Sequence, residues 1–290
     1  MGAYLPAPFT TPISADQQRD AARRLERAGY RAAWANEPIG GKDVFAQVAV
    51  LLAATERLTF GTGIANIWAR APQIAHGGAA WLAEAYPQRF VLGLGVGYPQ
   101  QAAAAGREFG RPVQTMRDYL EHMHTPAQPP PPDTPYPRLI AANGPKMLAL
   151  AGSLADGVIP AGMPPAFTEQ ARQQLGPDEL LVMSLGVVAG PDPDRARAAA
   201  RDSVAAGLAR SPGRAAVLTG LGFSAEDVAE VSDRLVDALA GHGTPDAIAG
   251  LVREHLAAGA DHVALIPSGA TVEAGVDQLE RIAPALAALV

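Results

Sequence analysis

The sequence predicts an α/β protein: a (β/α)8 TIM barrel with a helical insertion between strands seven and eight. Three observations carry that prediction. One unit recurs along the chain, an Ala-rich amphipathic helix that stops at a glycine and gives way at once to a short apolar strand. The strands read as continuous apolar runs rather than as alternation, which is the pattern of parallel strands buried on both faces. And 290 residues hold eight such runs, the number and length of a closed barrel. An open doubly wound sheet shares the local grammar, and the strand count is what argues against it.

The first strand lies near 3–5, at the very terminus. Ser14 with Gln17 then makes a capping-box pattern, Ala21, Ala22, Leu25 and Ala28 form one apolar face, and Gly29 stands where a left-handed stop belongs. Further strands follow near 31–35, 58–62, 90–95, 139–142, 157–160, 180–188 and 261–266. Before the last of them, Thr244 and Pro245 open a helix that Gly259 closes. Two segments break the rhythm. Thr125–Pro137 holds seven prolines, so it is expected to be an extended surface loop. Residues 190–243 are too long for one barrel helix. With helices expected over Pro193–Leu208 and Ser224–Leu239, they read as a cap over the barrel mouth or as extra packing on its rim. The whole of 1–290 is expected to be one domain.

Composition narrows the function classes. Twenty-nine acidic against 23 basic residues give a net charge of −6, a poor balance for gripping nucleic-acid phosphates. The chain has no cysteine, which removes disulfides, thiolate metal sites and a Cys nucleophile. The opening MGAYLPAPFTTP lacks a basic segment followed by an apolar one, and no run of 18 apolar residues occurs. Neither a secretory signal nor a membrane span is expected, and the cytoplasm is the default location. His122 and His124 stand two apart on a predicted helix and His255 and His262 straddle a helix end, so no metal site is expected. The serine-elbow and P-loop patterns are absent.

In a barrel the chemistry sits in the loops that follow the strands. After strand two comes Asn36-Glu37-Pro38, where Glu37 could act as a general acid or base or simply cap a helix at the rim. After strand three, Gly61-Thr62-Gly63-Ile64-Ala65-Asn66 has the glycines of a bulge or of a close backbone approach to a ligand. After strand four, Gly93-Leu94-Gly95-Val96-Gly97-Tyr98-Pro99 looks superficially like a dinucleotide fingerprint, but no helix opens on a third glycine. Its glycines instead leave room for a flat ring. After strand five, Asn143-Gly144-Pro145-Lys146-Met147 can place free N–H groups at a helix start, a phosphate site or an ordinary turn. Ala161 and Gly162, after strand six, are small enough to line the same site.

These residues resemble the luciferase-like family. Leu51–Arg57, GTGIANIWAR at 61–70 with Pro72, Arg89–Gly97, Ala142–Ala151 and Ala155-Asp156-Gly157 are similar to its motifs, and the likeness covers nearly the whole chain. The GPKML run and SDRLVDAL at 232–239 resemble the branch that uses the deazaflavin coenzyme F420. The resemblance implies a homodimeric oxidoreductase that passes a hydride between F420 and a small organic substrate. Its alternatives are an FMN-dependent monooxygenase and a barrel that binds cofactor or partner without catalysis.

The same resemblance implies positions. A strained, often cis, peptide at Gly63-Ile64 would back the ring, with Asn36, Glu37 and Asn66 near it and Gly95, Gly97 and Tyr98 bordering another side. Asn143, Gly144, Pro145 and Lys146 would hold the phosphate, with Ala161 and Gly162 close to it or to the tail. Glu37 would move the proton and Tyr98 orient the substrate. The sequence departs from the pattern at Tyr98, where many relatives carry His or Glu, at Glu37, where some carry His, and over Met163–Thr168. A phenol, with its ordinary pKa near 10, is the weaker proton shuttle at neutral pH.

Overall fold

The computed structural model describes residues 1–7, 12–211 and 213–289. Eight parallel strands close on themselves: β1 (Gly2–Tyr4), β2 (Ala32–Ala35), β3 (Thr59–Thr62), β5 (Phe90–Gly95), β6 (Arg138–Ile140), β7 (Gly157–Val158), β8 (Leu180–Ala189) and β10 (His262–Pro267). The pairing of Gly2 with Ala264 and of Ala3 with Leu265 shuts the cylinder. Two further short strands were not expected. β4 (Ala65–Asn66) resumes the third barrel strand beyond a cis Gly63-Ile64 peptide and pairs with the end of β5. β9 (Ala240–Gly243) pairs with the outer half of β8, from Gly186 to Ala189.

The helices wrap the outside, and their ends match the local chemistry. α1 (Ala15–Arg27) begins with the reciprocal Ser14–Gln17 capping box, buries Ala21, Ala22 and Leu25, and stops at Gly29 with φ of +92°. α12 (Pro245–Ala257) is capped by the Thr244 side chain and followed by Gly259 at φ +101°. Between them run α2 (Val44–Leu52), α3 (Pro72–Ala85), α4 (Pro99–Ala104), α5 (Pro112–Met123), α6 (Pro145–Leu154) and α7 (Pro165–Leu175), and α13 (Val272–Ala287) follows β10. The proline-rich segment before β6 forms neither helix nor strand.

The stretch between β8 and α12 differs from expectation in detail. α8 (Pro193–Arg210) covers the expected first helix. The expected single helix over 224–239 is two, α10 (Ala225–Ala229) and α11 (Asp233–Leu239). Val231 takes a left-handed φ of 48° between them, and Ser232 caps a new start. A further helix, α9 (Gly213–Gly220), precedes them. This segment has an apolar cluster of its own, built from Ala200, Val204, Leu218, Phe223, Leu235, Val236, Leu239 and Ala240.

Inside the cylinder Trp34, Leu139, Ile159, Val182 and Ala264 pack together, with Tyr4, Ile64, Val91 and Ala141 against them. The interior is therefore filled, and a ligand has only the C-terminal rim to use.

Candidate active site

The floor of the barrel mouth is set by contacts that admit no side chain. Tyr4 points inward and its hydroxyl meets the Ser184 hydroxyl at 2.9 Å. Burial pushes the phenol up to about 12, so at neutral pH it is an uncharged hydrogen-bonding group. A Cβ on Gly63 would stand 2.5 Å from that Tyr4 oxygen, and one on Gly95 would stand 2.7 Å from the Ile64 side chain. Glycine at both positions keeps the floor low and apolar, with Ile64 half-buried at its surface.

One wall is a hydrogen-bonded clamp. Gly63 N–H donates to the Ala35 carbonyl at 2.7 Å and Glu37 N–H to the Ile64 carbonyl at 3.2 Å, so the end of β2 grips the cis peptide from both sides. The Glu37 carboxylate accepts from Val44 N at 3.1 Å, from Asn66 N at 2.8 Å and from Arg70 Nη1 at 2.8 Å, and it also pairs with Arg70 Nη2. Arg70 bridges on to Asp43 at 2.8 Å. The Glu37 and Arg70 side chains are 3% and 8% exposed, and two carboxylates offset the guanidinium's desolvation, holding its pKa above the ordinary arginine value.

The expected proton-moving residue Glu37 thus stands in a fully formed hydrogen-bond network. Four donors occupy its carboxylate oxygens. It holds the loops after β2 and β3 in register. Asn36 lies half-buried beside it.

Asn66 is fully buried and only partly satisfied. Its N–H is bound to Glu37 and its Oδ1 accepts from Trp68 N at 3.1 Å, while Nδ2 has no partner among the described residues. That amide stands next to Gly97, whose φ is +57° and whose Cβ would fall 2.9 Å from Nδ2 and 2.0 Å from Gln101 Oε1. Gly97 thus lets the chain turn into Tyr98 while keeping space around the amide. Trp68 Nε1 donates to the Val96 carbonyl at 2.7 Å and fixes the same rim from outside.

The opposite wall comes from the loops after β6 and β7. The Asn143 side chain donates to the Ala161 carbonyl and accepts from Ala161 N, each at 3.1 Å, joining the two loops. Gly144 begins α6 without a side-chain cap, and Pro145 takes the first helical position, so the start of that helix is open to an anion. Lys146 is exposed just beyond it. Gly162, with φ +61°, lies against the Arg214 guanidinium of α9.

The structure therefore brings Asn36, Glu37, Gly63, Ile64, Asn66, Gly95, Gly97 and Tyr98 to one side of the rim and Asn143, Gly144, Pro145, Lys146, Ala161 and Gly162 to the other. Sequence reading missed Tyr4, Ser184, Arg70 and Arg214. Arg70 stood inside the GTGIANIWAR run without a role, and Arg214 carried no local signal. Among the described residues no three His, Asp or Glu side chains cluster as metal ligands.

Comparison with known proteins decides the family. The family described as luciferase-like monooxygenase matches residues 2–262. The chain belongs to that family. A 5,10-methylenetetrahydromethanopterin reductase of Archaeoglobus fulgidus is 25% identical over 82% of this chain and 85% of its own, and the one of Methanolobus tindarius 26% over 83% and 87%. Among solved structures, the coenzyme F420-dependent tetrahydromethanopterin reductase of Methanopyrus kandleri superposes with a TM-score of 0.73 at 19% identity, covering 98% of both chains. An FMN-bound oxygenating component of 3,6-diketocamphane monooxygenase from Pseudomonas putida gives 0.70 at 16%, over 100% of this chain and 98% of that one. Both share the barrel fold.

Proposed function

We propose that the barrel mouth binds coenzyme F420 and serves hydride transfer between it and a small organic substrate. The observation that carries this is the low glycine floor of Gly63, Gly95 and Gly97 with the unpaired Asn66 Nδ2 at its edge, a flat apolar seat with one polar donor waiting. The residues fit a planar tricycle: a side chain at any of these glycines would collide with Tyr4, Ile64 or Gln101 and push the floor out of shape. When bound, the deazaflavin supplies a carbon that accepts or releases hydride. The chain's own residues do the rest. Gly63 and Ile64 support one ring face, Asn66 Nδ2 donates to the ring edge, and the open start of α6 with Lys146 attracts the phosphate. Tyr98 borders the substrate and orients it by hydrogen bonding. Glu37 keeps the floor in place.

Family membership and the F420-dependent structural relative support this reading. The FMN-bound relative supports a second reading, a flavin monooxygenase on the same seat. Titration with F420 and, separately, with FMN, followed by ligand fluorescence, discriminates between them. Tight binding of F420 alone is the expected result. Binding of FMN alone would transfer the reading to oxygenation, and binding of neither would overturn both in favour of a non-catalytic barrel.

A homodimer in the cytoplasm completes the proposal. Ile74 and Trp81, 66% and 65% exposed and seven apart on α3, form an apolar stripe suited to a second copy. No described helix is long and apolar enough to cross a membrane.

A further inference from the structure

The segment between β8 and α12 sends one cation into the barrel mouth. Arg214, in the first turn of α9, lays its guanidinium against the loop after β7. A Cβ on Gly162 would fall 2.8 Å from Nη1, and one on Gly207 of α8 would fall 3.2 Å from the same nitrogen. Two glycines from different elements thus make room for this group, and neither gives it a partner. Among the described residues Arg214 has no carboxylate within ion-pair distance, and its Nε is fully buried without an acceptor. Burial pulls its pKa below the ordinary arginine value; the Tyr98 hydroxyl opposes that pull, and Arg210 adds to it.

A guanidinium in this state is costly. The residue is half-buried, its Nε has lost water, and it has gained no counter-charge, whereas Arg70 has two carboxylates. Its planar fork matches a tetrahedral oxyanion in two-point contact. Beyond Gly162 stand the Asn143–Ala161 pair and the uncapped start of α6, whose free N–H groups also favour negative charge.

From this juxtaposition we infer that Arg214 is an anion receptor that binds a phosphoryl group of the ligand filling the mouth. The inference rests on the proposed cofactor site only for the phosphate's carrier. The charge and its lack of a partner belong to this chain.

The test compares each cofactor with its phosphate-free core, F420 against its deazaflavin–ribityl core and FMN against riboflavin, in wild type, Arg214→Gln and Arg214→Lys. Fluorescence titration at two salt concentrations reads the affinities. The wild type is expected to prefer the phosphorylated partner by about tenfold to a hundredfold, the range of one charge-assisted contact pair. Arg214→Gln should cut that preference by about tenfold and weaken the salt dependence, leaving the share of Lys146 and the start of α6, with Arg214→Lys in between. An unchanged preference in Arg214→Gln would overturn the inference and leave the F420 reading intact. A preference that collapses for FMN, with F420 unbound, would keep the inference and remove that reading. If no cofactor binds, inorganic phosphate decides: a rise in melting temperature in wild type that Arg214→Gln abolishes supports the receptor, and no difference between the two sinks it.

Discussion

Two arginines stand in the loops and helices beyond the strand ends, Arg70 with its side chain almost wholly buried and Arg214 half-buried, and they have opposite surroundings. Arg70 is tied to Glu37 and Asp43, and through Glu37 to the backbone of Val44 and Asn66. Arg214 is tied to nothing among the described residues. A buried charge with every valence answered is part of the frame, and a buried charge with none answered is a request for a ligand. The difference divides the mouth into a wall that positions and a wall that receives.

That division can be broken most forcefully at Glu37. Glu37→Ala strips the main partner from Arg70 and two acceptors from the backbone, so a loss of about 3–5 kcal/mol is expected in urea denaturation. A loss under about 1 kcal/mol would mean that the clamp is decoration. Gly97→Ala comes next, because it forces a side chain into φ +57° and against Gln101 and Asn66. A cost of about 2–3 kcal/mol follows, with weakened ligand binding.

Acid provides the third test, among the outer helices. His255 is fully buried behind α7, meets the Thr168 hydroxyl at 2.8 Å, and is held by burial at about 4, below the unfolded value near 6.5. Between those values the unfolded chain carries the extra proton, so this group's stability is complete above pH 6.5 and falls as pH drops towards 4. The loss reaches about 2 kcal/mol at pH 5. His255→Leu should remove that slope from a pH series of denaturation midpoints. The smallest effect belongs to Arg214→Met. Without ligand it should leave stability within about 1 kcal/mol of wild type or raise it, since no partner is orphaned. A loss as large as that of Glu37→Ala would erase the contrast between the walls.

Much of the frame was legible because the signals were local. The Ser14–Gln17 box, the Thr244 cap and the stops at Gly29 and Gly259 are chemistry within a few residues, and the structure places them as expected. Strands such as Phe90–Gly95 were readable because both of their faces are covered. β9 was not, since Ala-Gly-His-Gly has no strand preference and is extended only because β8 offers it an edge. The break in 224–239 depends on one left-handed residue, Val231, a type that gives no warning of it. At the site, the glycines were readable by their own spacing. The work of Glu37 was not, because its partner Arg70 lies 33 positions away and only folding brings them together. Arg214 was one arginine among many until α9 turned it inward.

The segment that carries Arg214 has a small core of its own, joined to that of the barrel through Leu221, and is anchored by the strip where β9 extends β8. Heredity can therefore work on the two parts at different speeds. Leu218 and Phe223 seat α9 in its own small cluster, while Tyr4 and Ile64 leave no room for a side chain at Gly63 and Gly95.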